Sequence, residues 1–197
     1  MAPVRASLVD APRGPRRHPG AALTVRPQEA GDAALVRRIQ RGSREAAAEL
    51  FARHWPAARR AALAITASEA SADDVAQDAF ERAFAHIDQF DRQRPFAPWL
   101  HRIVVNRAID HLRAERRLVS LGDASLEDLS SPDSLDGPVL AALARLSPDR
   151  RAVVVLRHLL DYRPPEIAAM LELPLGTVNS RLGRALADLR EMIGEAE

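Results

Sequence analysis

Trp99, Asn106, Asp110, Arg113 and Arg117 follow one another at spacings of 7, 4, 3 and 4 residues. At about 100° per helical residue, all five fall within about 40° of the line through Trp99. Leu100, Val104, Val105, Ala108 and Leu112 take the opposite side. A helix is therefore predicted over 96–117, with an apolar side and a stripe holding one aromatic, one amide, one carboxylate and two guanidiniums. Just upstream, Phe90, Arg92, Arg94 and Phe96 interleave rings and cations in the loop DQFDRQRP and at the helix start. Aromatic rings stack on unpaired bases, and arginines meet backbone phosphates. Asn and Asp supply hydrogen bonds to the edges of unstacked bases. Any one of these rings alone reads more readily as core. The whole stripe reads as a surface for single-stranded nucleic acid.

A second constellation lies near the end of the chain. PPEIAAML opens on Pro164 and Pro165, which suit a first helical turn. Leu173-Pro174-Leu175-Gly176 interrupts it, and Thr177 is expected to cap a following helix, VNSRLGRALADLR. Helix, tight turn, helix is the helix-turn-helix pattern. In the second helix Val178, Leu182, Ala185, Leu186 and Leu189 share one side, while Ser180, Arg181 and Arg184 share the other near its start. That is where a recognition helix presents side chains to the major groove. The forked arginine donors suit guanine edges and phosphates. A merely amphipathic helix with a solvated basic face is the competing explanation.

A third helix, DDVAQDAFERAFAHI, is expected to start from a cap in Ser71-Ala72-Asp73-Asp74. Val75, Ala79, Phe80, Ala83, Phe84 and Ile87 make its core side, and Asp74, Gln77, Asp78 and Glu81 make the other. Such a compact acidic face suits a partner presenting Arg or Lys, although a solvated face would look the same.

These helices need a frame. Over 197 residues with 47% hydrophobic content the chain can build one core or two small ones. The net charge is only +1, and all 28 basic residues are arginines. With no cysteine, disulfides and thiolate metal sites are excluded. No apolar run approaches the roughly 18 residues of a membrane span, and no secretory signal is visible, so a soluble cytoplasmic protein is expected. Residues 1–28 read as a basic, disordered tail rich in Pro, Gly, Ala and Arg. Residues 29–117 are helical throughout, with Ser43 capping a long helix kinked at Pro56. Residues 118–137 carry Asp123, Glu127, Asp128, Asp133 and Asp136 without a basic residue and read as a flexible acidic linker. Residues 138–197 hold two helices and then the helix-turn-helix. The expected fold is all-α: two small helical domains on an acidic tether.

DDVAQDAF, then FDRQRPFAPWLHRIVVNRAIDHLRAERR, an acidic linker, and LSPDRRAVVVLRHLLDYRPPEIAAMLELPLGTVNSRL resemble, in content and order, the extracytoplasmic-function sigma factors of bacterial RNA polymerase. The resemblance covers about residues 30–193. It implies that Asp74, Gln77, Asp78 and Phe80 dock on core polymerase. It implies that Arg94, Phe96, Trp99, Asn106, Asp110 and Arg113 open and read the −10 element as single strand. It implies that Thr177, Asn179, Ser180, Arg181 and Arg184 read the duplex −35 element. It further implies an anti-sigma factor as partner and no cofactor or metal. Two departures stand out: Asn179 where relatives often carry a basic residue, and Gly183 where they often carry a larger one.

A stand-alone helix-turn-helix regulator would explain residues 138–193 but leaves the stripe of Trp99 and Asn106 without a purpose. An enzyme is a more distant reading. His18, His54, His86, His101, His111 and His158 show no metal-ligand spacing, and neither a phosphate loop nor a nucleophile elbow is present.

Overall fold

The computed structural model describes residues 27–120 and 138–194. Among these, all regular structure is helical: α1 Pro27–Ile39, α2 Arg44–Thr66, α3 Glu69–Ala85, α4 Phe96–Ser120, α5 Pro138–Arg145, α6 Pro148–Val154, α7 Pro164–Leu171 and α8 Leu175–Gly194. A single 3-10 turn, Ile87–Gln89, leads toward α4, and α6 widens into a π-helical turn over Val155–Leu159. The expected tail lies outside the described residues except for its last two, which open α1; the expected linker lies outside them from residue 121 onward.

Local chemistry sets most boundaries. The Ser43 hydroxyl accepts from the Ala46 amide at 3.2 Å and caps α2 as expected. Pro56 lies inside α2, which continues to Thr66. At its end Ala67 takes the left-handed conformation (φ 63°) and donates to the Leu63 carbonyl. The cap of α3 is Ser68, whose hydroxyl accepts from Ser71 at 3.3 Å, three residues before the expected start. In α7, Pro164 and Pro165 form the first turn, and the Arg163 amide donates to Glu166 Oε2 at 2.6 Å.

The turn after α7 is short because Glu172 adopts φ 53° and ends the helix at once. The Pro174 carbonyl then accepts from Thr177 and Val178 at 2.9 and 3.2 Å. Thr177 is consequently the third residue of α8 rather than its cap, and Gly176 lies inside the helix. Gly183 also lies inside α8, and a Cβ there would meet nothing within 4 Å. Glycine costs about 1 kcal/mol in a helix interior relative to alanine. Gly183→Ala is expected to stabilise the protein by up to that amount, read as a higher midpoint in urea unfolding with unchanged slope.

Helices α1 to α4 pack around α2, and α5 to α7 pack around α6 and α8. The first group encloses Leu50, Ile65, Phe80, Phe96, Leu100 and Val104; the second encloses Leu146, Leu156, Ile167 and Val178, all buried. Asp32 of α1 is buried under α2, where His54 Nε2 and Arg53 Nη1 each donate to it at 2.8 Å. Burial alone would raise its pKa, but His54 and Arg53 outweigh that and hold the carboxyl below its usual value. Such a depressed carboxylate stabilises the fold above its unfolded pKa, and the contribution fades as pH falls toward its folded value.

The two groups also meet. Helices α5 and α6 lie on α2, and α6 and α7 lie on α4. Arg151 of α6 is buried and donates to the carbonyls of Ile65, at the end of α2, and of Ala144 and Leu146, around the end of α5. Helix C-termini carry partial negative charge, so this cradle suits a cation. Burial, with Arg116 nearby, still lowers its pKa to about 10.

Candidate nucleic-acid and polymerase interface

The acidic face of α3 is exposed at Asp74 and Gln77. The Gln77 amide donates to Glu81 Oε1 at 3.0 Å, which fixes that end of the face. Asp78 is half-buried and held within the chain. Its Oδ1 accepts from Arg82 Nε at 3.1 Å, and its Oδ2 accepts from Arg107 Nε of α4. Asp74 makes no ion pair among the described residues. Phe80 is 2% exposed and stands against Phe51, with ring centres 4.7 Å apart. It anchors α3 from beneath and presents nothing to a partner in this conformation.

Between α3 and α4 lies an open cleft of about 460 Å³ lined by Asp74, Asp78, Arg107, Asp110 and His111, among others. Asp110 therefore faces the same hollow as the acids of α3. It lies one turn from Asn106 along α4, but its neighbourhood is the acidic face.

On α4 the apolar side is as expected: Leu100, Val104, Val105, Ala108 and Leu112 are all buried. The stripe is graded. Asn106 and Arg113 are exposed, and Trp99 is half-buried. Phe96 is only 1% exposed; its ring centre lies 5.3 Å from that of His54 and 5.7 Å from that of Trp99. In this conformation Phe96 cannot take a base on its face. With Phe90, 4.8 Å from Trp99, it forms the floor on which the indole rests. Arg94 is half-buried in the preceding loop and pairs with Asp91 at 3.5 Å.

On α8, Val178, Leu182 and Ala185 are buried, and Asn179, Ser180 and Arg184 are exposed. Thr177 and Arg181 are half-buried. Arg181 Nη1 donates to Asp149 Oδ1 of α6 at 3.2 Å. The same oxygen accepts from Arg113 Nη2 of α4 at 3.3 Å. Asp149 thus touches one arginine from each of the two expected reading surfaces. Further polar contacts among the described residues join the helix groups: Arg102 to Glu172 at 2.8 Å, His101 to the Tyr162 hydroxyl at 2.8 Å, and Arg151 to Ile65. None was visible in the sequence. Arg102 and His101 fall between the apolar positions of α4, and their partners are distant in the chain.

No described helix is long and apolar enough to cross a membrane. Residues 50–118 match Sigma-70 region 2, and residues 137–189 match Sigma-70 region 4. The RNA polymerase sigma factor CnrH of Cupriavidus metallidurans is 33% identical over 186 residues, covering 86% of this chain and 97% of that protein. The ECF RNA polymerase sigma factor SigM of Mycobacterium tuberculosis is 35% identical over 172 residues, covering 84% of this chain and 86% of its own. The solved structure of CnrH in complex with the cytosolic domain of CnrY superposes with a TM-score of 0.65 at 32% identity, covering 84% of this chain and 99% of that one.

Proposed function

We propose a division of labour among three helices of this chain, which belongs to the extracytoplasmic-function sigma factors of the sigma-70 family. As a sigma factor it directs core RNA polymerase to promoters. The region over 29–117 holds polymerase through α3 and the −10 strand through α4. The region over 138–197 holds the −35 duplex through α8. Residues 118–137 connect the two, and residues 1–28 stand apart as a tail. An anti-sigma factor is its partner, as the sigma factor RpoE of Bartonella quintana is found in complex with the anti-sigma factor NepR, and it acts in the cytoplasm.

The arrangement of exposed polar groups carries this reading. Asp74 and Gln77 on α3, Asn106 on α4, and Asn179, Ser180 and Arg184 on α8 are exposed. Arg184 makes no ion pair among the described residues. Each helix keeps its apolar residues inward and offers a different chemistry outward: acid for a basic protein surface, an amide beside an indole for unstacked bases, and a guanidinium with hydroxyl and amide for a groove. Phe80 and Phe96 support α3 and α4 from within, and Asp110 acts with Asp74 and Asp78 at the acidic cleft.

Arg184 supplies the test. With core polymerase present, the chain should retard a duplex carrying both promoter elements and support run-off transcription. Arg184→Ala should cost about 1–3 kcal/mol of −35 discrimination if the guanidinium reads a base edge. If it meets only phosphate, binding should weaken evenly across sequences with a shallower salt dependence. Wild-type binding by the variant to every −35 sequence would remove α8 from the reading.

A further inference from the structure

Trp99 is held in place by residues outside all three expected contact surfaces. Its floor is Phe90 and Phe96, and those two rings stand at the two ends of the loop that carries Arg92 and Arg94. Each end is tied to α1. At the first, Gln40, the residue that follows α1, donates from Nε2 to the carbonyls of Ile87 and Phe90 at 2.7 and 3.3 Å. Two carbonyl oxygens can be met only by the NH2 of the amide, so these partners fix its orientation. At the second, Phe96 lies against His54, which donates to the buried Asp32 of α1 at 2.8 Å.

Gln40 is itself firmly seated. Its amide donates to the Val36 carbonyl at 2.9 Å, and the turn behind it closes from Gly42 to Ile39 and from Ser43 to Arg38 at 2.7 and 3.0 Å. Gly42 takes φ 90° there, a conformation open to glycine. Leu35 and Val36 are buried, so α1 is anchored in the core. The Ile87 carbonyl also accepts from the Phe90 amide at 3.1 Å, so one oxygen ties the 3-10 turn to Phe90 and both to Gln40.

We propose that Gln40 is a positioning residue for capture of the −10 strand: it ties the Phe90 end of the loop to α1 and so fixes the floor beneath the Trp99 indole. The strand side of this inference rests on the assignment of α4 above; the hold on the indole does not. Gln40 and Asp32 both precede the segment that matches Sigma-70 region 2, which begins at residue 50. A ring that is already held gives up less freedom when a base stacks on it, so a fixed indole captures a strand more tightly. Phe90 stands nearer the indole than Phe96 does, 4.8 Å against 5.7 Å, so the Gln40 end governs the platform more directly. Without the Gln40 donor the two carbonyls turn toward other partners, and the Phe90 ring moves with its backbone.

The chain holds two tryptophans, so Trp55→Phe leaves Trp99 as the single indole. In that background Gln40→Met keeps the length of the side chain and removes the donor. On the free full-length chain, without denaturant, the variant should show lower indole anisotropy and stronger quenching by acrylamide. Holoenzyme carrying Gln40→Met alone should retard, as wild type does, a duplex selected from random sequence for transcription by the wild-type holoenzyme. On that duplex its ratio of open to closed complexes should fall about 2- to 10-fold, the effect of about one ordinary hydrogen bond. Gln40→Ala, which cannot overpack, should move both readouts the same way.

Unchanged anisotropy, quenching and opening in the folded variants overturn the proposal; a lower midpoint in urea as the sole effect makes Gln40 a residue of the fold and nothing more. A loosened indole with wild-type opening supports Gln40 as the holder of Trp99 and removes instead the assignment of the α4 stripe to strand capture.

Discussion

Asp74→Arg is expected to abolish stable association with core polymerase while leaving the helical content unchanged. Asp74 is exposed and makes no ion pair among the described residues, so reversing its charge breaks nothing within the chain. A basic partner surface would then face a cation, and like charges brought together across an interface cost several kcal/mol. At about 1.4 kcal/mol per decade, the affinity should fall by a hundredfold or more. Asp78, the more obvious target by sequence, is a poorer probe. Arg82 and Arg107 already hold both its oxygens, so Asp78→Arg would set three guanidiniums together and disturb the packing of α3 on α4. Asp78→Asn keeps the shape and should give a smaller loss. Titration of core polymerase with labelled chain, beside circular dichroism, separates docking from folding. Wild-type affinity in Asp74→Arg would mean that polymerase docks elsewhere.

How the sequence and the structure differ follows from the range of the forces involved. The apolar side of α4 and that of α8 repeat every three or four residues, and burial follows that period throughout α4 and as far as Ala185 in α8, beyond which Leu186 and Leu189 are half-buried. The Ser43 cap is equally local, a hydroxyl three residues from the amide it accepts. Periodicity places a side chain on a face without saying how deep the face is. Phe96 and Trp99 are neighbours on one line of α4, yet Phe96, at the first turn, folds under against His54 and Phe90. Phe80 belongs to the docking motif that the resemblance implies, while its period puts it on the core side, and it is buried there. The caps of α3 and α8 differ from the expected ones because several adjacent residues can serve. Ser68 and Ser71 are both good caps; Pro174, which has no amide proton to leave unpaired, lets α8 start two residues before Thr177. The contacts between helix groups join residues 36, 70 and 86 positions apart, namely Arg113 to Asp149, Arg102 to Glu172 and Arg151 to Ile65. No local pattern encodes which arginine of 28 meets which acceptor.

Asn106→Ala should leave promoter binding nearly intact and impair strand opening. Asn106 is exposed, and its amide makes no hydrogen bond among the described residues, so both its donor and its acceptor are open to a base edge. Trp99 lies seven residues earlier on the same side of α4, about 10 Å along the axis at about 1.5 Å per residue. That matches roughly three stacked bases at about 3.4 Å each. A single strand laid along the stripe can therefore meet the indole at one base and the amide a few bases on. The indole is well placed to serve as a fixed platform, because Phe90 and Phe96 hold it from below at 4.8 and 5.7 Å. Duplex DNA hides those base edges, so the amide gains its bonds only once the pairs have parted, and its loss falls on opening rather than on docking. A polar contact to a base edge is worth about 1–3 kcal/mol, or about 5- to 150-fold in the ratio of open to closed complexes. Holoenzyme carrying Asn106→Ala should retard duplex promoter as wild type does, transcribe poorly from it, and recover part of the activity on a template with a pre-opened bubble. Permanganate footprinting decides the matter directly. If thymines around −10 react as strongly with the variant holoenzyme as with wild type, the strand is opened by some other surface than this stripe.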